Sequence, residues 1–337
     1  LTFDHISYNN GALLALGVVV VYVATSGVRG AAWSDVFQAI LMLIVAWVLG
    51  IYFVESLHGS LGNMFGKIIA DNPEFLTIGN EGSKISSARY SSNIVVSMLG
   101  FVMWPHLFTK SYTTTARRIK LTVLVYPIFA LFLLPVLFIG FAAIGVVPTD
   151  ALGRPGEVLP YLITHHLTES GILYGIVGAG ALAAAMSSSD AITHGASVSF
   201  GRDICKVIFP SLKENQELWI MRGAVVGVGA IAYCIAIYGS DGLIKLLLGA
   251  YGAIVQIAPA VYSGLFWRRA SALGVTLGLI TGVIVTTYFQ YIHGSSPYDL
   301  HPGLIGLTIN IIIMASISLL QKHKAEYLAH ASKFIDE

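Results

Sequence analysis

Between Ala179 and Asp203 the chain reads AGALAAAMSSSDAITHGASVSFGRD. Small apolar residues lead into three hydroxyls, a carboxylate and an imidazole: Ser187, Ser188, Ser189, Asp190 and His194. At 100° per residue, Ala184, Ser187 and Ser188 share one helix face. Two hydroxyl oxygens and a backbone carbonyl can then point the same way. Hard cations take oxygen ligands, and neutral oxygens hold a monovalent ion weakly enough to release it. The same residues also suit a packing seam in which Ser bonds back to the preceding turn, so the residues alone leave both readings open. A hydrolytic reading fails on geometry. A nucleophilic triad needs its base between nucleophile and acid. Here Asp190 lies between Ser187 and His194, which stand about 10 Å apart along one helix. Asp190 and His194, at i and i+4, are instead expected to pair.

Three further stretches carry polar groups in apolar surroundings. In YVATSGVRGAAWSDVFQ, residues 22–38, Asp35 and Gln38 stand near the start of a helical run. Asp35 there either caps the helix or lines an ion exit path. In MWPHLFTK, residues 103–110, Pro105 should break the helical ladder and free carbonyls. Trp104 and His106 beside such a break can touch a ligand or serve the kink. In helix-forming sequence around Gly249-Ala250-Tyr251-Gly252-Ala253, followed by Gln256 and Pro259, the glycines predict either an unwound segment lining a cavity or close helix packing. Asn310 and Tyr233 read as structural.

The elements that must position these groups are membrane spans. The 337 residues are 55% hydrophobic and only 11% charged, against roughly 25% charged in soluble domains. Mean hydropathy is +0.76. Apolar runs near the ~20 residues needed to cross a bilayer fall at 10–27, 34–57, 91–109, 119–146, 170–200, 218–238, 242–267, 270–292 and 302–321. A short turn at 26–30 should separate the first two. A polar loop over 58–90 should hold short amphipathic pieces, and a short helix is expected near 157–168. Alternate joints and the tail 322–337 carry fourteen of the 19 Lys and Arg. The positive-inside rule then puts those joints and the C-terminus in the cytoplasm and residues 1–9 outside. The two cysteines, Cys205 and Cys234, lack ligand-like spacing. No P-loop, dinucleotide fingerprint or nucleic-acid module is present. The expected class is an all-α polytopic membrane protein of about nine transmembrane helices, with the lipid bilayer and a small-molecule solute as partners and no nucleic acid.

Three motifs resemble the sodium:solute symporter family. YVATSGVRGAAWSDVFQ is similar to the family's Tyr, Gly-Gly, Ala, Thr-Asp-x-x-Gln pattern, with Ser26 for the first Gly and Ser34 for the Thr. AAAMSSSDAITHGASVSFGRDI resembles the family's AAxMST…S…RDI element, and GAIVQIAPAVYSGLFWRRAS its vQlaPal..GLfWrR. The resemblance implies a LeuT-like inverted-repeat core over about 10–267, two peripheral helices over 270–321, and further helices before the first one here. It implies sodium-coupled uptake by alternating access, with Na+ as the coupling ion and no other cofactor. Ser187 and Ser188, with the Ala184 carbonyl, become half of a sodium site, and Asp35 an aid to sodium release. Trp104, His106, Tyr251 and Gln256 become substrate-lining candidates. The Met-Trp-Pro-His-Leu element leans towards the pantothenate and monocarboxylate branch. A symporter-like sensor domain of a signalling protein is the alternative.

Overall fold

The computed structural model describes residues 7–79, 83, 85–111, 114–131, 133–148, 152, 155–167, 171–239 and 243–321. The tail 322–337, and with it the last of the basic segments, lies outside the described residues, as do Lys84 and Arg154. Among the described residues there are fourteen α-helices: α1 Tyr8–His58, α2 Leu61–Asp71, α3 Ser87–Gly100, α4 Pro105–Ser111, α5 Ala116–Ala130, α6 Leu133–Ala143, α7 Val158–His166, α8 Gly171–Ser199, α9 Lys206–Ile208, α10 Glu214–Tyr238, α11 Leu243–Ile254, α12 Ala258–Phe266, α13 Ala272–Thr287 and α14 Pro302–Leu320. No strand occurs among the described residues. Among the described residues eight helical stretches are long and apolar enough to cross a membrane, and nine if the bent pair Ser87–Met103 and Pro105–Ser111 counts as one span. That matches the expected number and placement.

The first two spans form a single helical element, Tyr8–His58, where a separate turn at 26–30 was expected. Yet the Tyr22 hydroxyl bonds that of Ser34. Twelve residues of straight helix would separate them by about 18 Å, beyond the reach of both side chains. The element therefore bends back between these residues.

Packing divides the chain into two compact units, one of residues 1–72 and 109–240, the other of 73–108 and 241–337. In the first, the second half of α1 packs on α2, α6, α7 and α8 through Leu49, Phe53, Met64, Ile68, Leu162 and Val177. The approach of α1 to α6 needs Gly50, where a Cβ would stand 2.9 Å from Pro135. The first half of α1 meets α10 and α8 through Val19, Val23, Val225 and Met186. α8 does not stop near residue 200. It passes through a π turn, Phe200–Cys205, into α9. The wide turn brings Arg202 and Lys206 together on Glu217 of α10, at 2.9 and 2.8 Å.

In the second unit α13 and α14 pack along a seam of small residues, and Val96 of α3 joins Val255 and Leu307. Ser86 caps α3 by accepting from the Arg89 N–H. Arg89 in turn donates to Asp299 through Nε at 3.1 Å and Nη2 at 2.7 Å, and the Ser86 hydroxyl donates to the other carboxylate oxygen. Tyr298 and Asp299 both hold positive φ, 56° and 53°, a conformation uncommon for residues other than glycine. The Ser86 hydroxyl and the Arg89 guanidinium hold the Asp299 carboxyl below the usual carboxylate range. The unfolded chain therefore binds that proton more readily, so the pair stabilises above the ordinary Asp value of about 3.9 and is lost as pH falls through the lowered folded value. Half-exposed as it is, the pair is worth about 0.2–1 kcal/mol. Asp299→Asn should lower the melting temperature slightly at pH 7, and the gap from the parent should close in melts at progressively lower pH.

Candidate functional site

In the first unit the residues expected to form a cation site lie on α8. The Ser187 hydroxyl donates to the Ala184 carbonyl, with 3.3 Å between the oxygens. Ser188 is exposed, one residue round the helix, and its hydroxyl has no partner among the described residues. A hard cation of calcium's size sits about 2.3–2.6 Å from its oxygens. Two ligands at right angles around it are then about 3.3–3.7 Å apart. Sodium is close to calcium in size, so the Ala184 and Ser187 oxygens stand at the spacing of neighbouring ligands. Ser189 faces elsewhere and donates to Ala185 O at 2.7 Å.

Asp190 corrects one expectation. It is fully buried, and neither carboxylate oxygen has a hydrogen-bond partner among the described residues. The pair with His194 is not formed. One turn separates the two along the helix, but Asp190 faces packed neighbours while His194 is only half-buried. The charges acting on Asp190 are those of Asp35 and Lys110. Asp35 does not cap a helix either. One of its oxygens accepts from Lys110 Nζ at 3.5 Å, and the other is buried without a hydrogen-bond partner. Lys110 was missed in the sequence because its acid lies 75 residues away.

In the second unit the expected break falls at Trp104. Its backbone turns extended, ψ 125°, with Pro105 starting α4, and the helix axis bends by 49°. The Trp104 carbonyl accepts from the Leu107 and Phe108 N–H groups at 2.9 and 2.8 Å. The Trp104 ring meets Tyr251 edge-on at 5.5 Å and lies 5.7 Å from His106. All three are half-buried, so they form an aromatic cluster around a helix break. Gln256 does not join them. It is fully buried, the two hydrogens of its Nε2 are shared among Gly252 O, Thr286 Oγ1 and Gly303 O, and its Oε1 accepts from Asn310. That amide is saturated by protein and fastens α11, α13 and α14 together. The segment before it stays helical, tightening to a 3-10 turn at Val255–Ile257. Gly252 is a packing glycine there, since a Cβ would meet Thr286 at 3.0 Å and His301 at 3.2 Å.

Spans by length and composition, with one broken helix among them, define a polytopic helical membrane protein. The chain belongs to the sodium:solute symporter family, whose profile matches residues 3–282. It is 31% identical over 316 residues to the uncharacterized symporter YhjB of Bacillus subtilis, covering 90% of this chain and 64% of that one. It is 22% identical over 335 residues to a sodium/proline symporter of Staphylococcus aureus, covering 96% of this chain and 64% of that one. Among solved structures it is similar to a substrate-bound, outward-open Na+-coupled sialic acid symporter, with TM-score 0.68 and 20% identity over 95% of this chain and 68% of that one. This likeness shows the LeuT-like fold. The chain spans just under two thirds of the length of the two curated relatives.

Proposed function

We propose that the protein acts in sodium-coupled symport, importing a small organic solute across the cell membrane by alternating access. The observation that carries this is the 3.3 Å spacing of the Ala184 and Ser187 oxygens, on the helix whose motif matches the family. Ala184 O, Ser187 and Ser188 supply this chain's share of the cation ligands, and Asp35 lies on the release path. The distribution of basic residues over the joints supports a cytoplasmic C-terminus. The solute is a small monocarboxylate or pantothenate-like anion. Proline and sialic acid, named for the relative and the structural neighbour, also carry a carboxylate. The Trp104, His106 and Tyr251 cluster receives the solute, and Gln256 keeps a structural role.

Uptake by the native gene product in proteoliposomes tests this reading. Accumulation of a labelled monocarboxylate should collapse when external sodium is replaced by choline. Unchanged uptake in choline would sink sodium coupling. Trp104→Ala and Tyr251→Ala should each raise KM for the solute about two- to tenfold, the scale of one lost aromatic contact, with the sodium dependence retained.

A further inference from the structure

The first turn of α5 carries Arg117, Arg118 and Lys120, all exposed. They line a surface cavity of about 680 Å³ together with Thr115, Leu121 and Leu124. No acidic residue occurs anywhere from 82 to 149, and none of the three cations has an ion-pair partner among the described residues. Several other cations of the first unit are committed, Lys110 to Asp35 and both Arg202 and Lys206 to Glu217. Three cations within four residues thus have no ion-pair partner among the described residues, in a chain of net charge only +1.

The apolar residues next along the helix are equally specific. Arg117, Lys120, Leu121 and Leu124 fall within about 100° around the helix, so charge and apolar surface succeed each other along one stripe. Leu121 is 60% exposed and Leu124 75%, and both lie inside a candidate membrane span, Ala116–Ala143. A soluble anion would use the cations and leave the leucines idle. A phospholipid uses both, because its phosphate and its acyl chains are joined in that same order.

We propose that this stripe seats an anionic phospholipid, with Arg117 and Lys120 on the headgroup phosphate, Arg118 beside them at the rim of the same hollow, and the acyl chains along Leu121 and Leu124. Arginine grips phosphate oxygens in a planar fork, and the long side chains reach the interface while their stems lie against lipid. The site depends on the protein being a membrane protein and not on sodium coupling.

Native mass spectrometry of the native gene product released from detergent tests the seat. Phosphatidylglycerol should remain bound about fivefold or more in excess of phosphatidylcholine offered at equal concentration, as basic juxtamembrane residues favour anionic lipid. The triple variant Arg117→Gln, Arg118→Gln, Lys120→Gln should lose that preference while keeping its helical circular dichroism. Lys213→Gln, elsewhere on the first unit, should keep it. Millimolar inorganic phosphate should leave the bound lipid in place. Equal retention of the two lipids, an unchanged preference in the triple variant, an equal loss in Lys213→Gln, or displacement by free phosphate would each overturn the proposal.

Discussion

Alanine at both Ser187 and Ser188 is expected to remove sodium dependence from uptake. In the proposed site the two hydroxyls are two of the three oxygens that α8 would offer to the cation. A hydrogen-bonding group that serves a charge is worth about 1.5–3 kcal/mol, so losing both should weaken sodium binding by more than about 100-fold. Each single alanine variant should shift the half-saturating sodium concentration by about tenfold or more. Ser187→Thr keeps the oxygen and serves as the rescue control. Sodium titrations of uptake in proteoliposomes read the shift directly. A double alanine variant that still saturates at the parental sodium concentration would leave these serines as helix-packing residues, the other reading that their chemistry allows. The outcome does not hinge on gross misfolding, because Ser188 is exposed and Ser187 only half-buried.

Leucine at Gly278 is expected to produce the largest loss of stability. Gly274, Gly278 and Gly282 recur every four residues on α13 and face Asn310, Met314 and Ser318 on α14. A Cβ at Gly278 would stand 2.6 Å from Asn310 Oδ1 and 2.8 Å from the Asn310 carbonyl, and one at Gly274 would stand 2.8 Å from the Met314 carbonyl. Backbone oxygens cannot swing aside, so the two helices must separate. In a membrane such close approach by small residues is itself the main source of association. Overpacking costs about 1–3 kcal/mol or more, and separation would also pull Asn310 from the Gln256 carbonyl, now 2.8 Å away. A fall in melting temperature of about 2–4 °C is expected for a chain of this length, measured by thermal unfolding in detergent. Alanine gives the sharper contrast. Gly278→Ala should destabilise, whereas Gly264→Ala, with nothing within 4 Å of its new Cβ, should be neutral or stabilising, since Ala is the better helix former. Equal effects at the two sites would refute the seam.

The membrane spans were legible because a bilayer imposes one length and one composition on every segment that crosses it. The break at Trp104 was legible because proline removes a donor whatever its surroundings. The short helices Leu61–Asp71 and Val158–His166 fell where amphipathic stretches interrupted polar joints. What stayed hidden was the choice among partners. Gln256 looked like a group lining a cavity, and only the arrival of Gly303 and Asn310, each about fifty residues away, shows its amide saturated. Asp190 and His194 had ideal spacing for a pair, but burial of one face of α8 separated their surroundings. Asp35 had the position of a cap and found Lys110 instead. In each case the residue types and local spacing were right, and tertiary packing decided between uses that the local sequence leaves equal.

The bond from Ser187 to Ala184 has a further consequence for how an ion would meet this helix. Its proton lies between two oxygens already set at ligand spacing. A cation arriving there needs no movement of the backbone, only rotation of one hydroxyl about its C–O axis. Breaking that bond costs about 0.5–1.5 kcal/mol, or about two- to tenfold in affinity. A spinning hydroxyl is among the fastest motions a side chain makes, on the picosecond to nanosecond scale. If the proposed site holds, the helix would thereby offer a seat that closes itself whenever the ion steps out, which favours quick departure over tight retention.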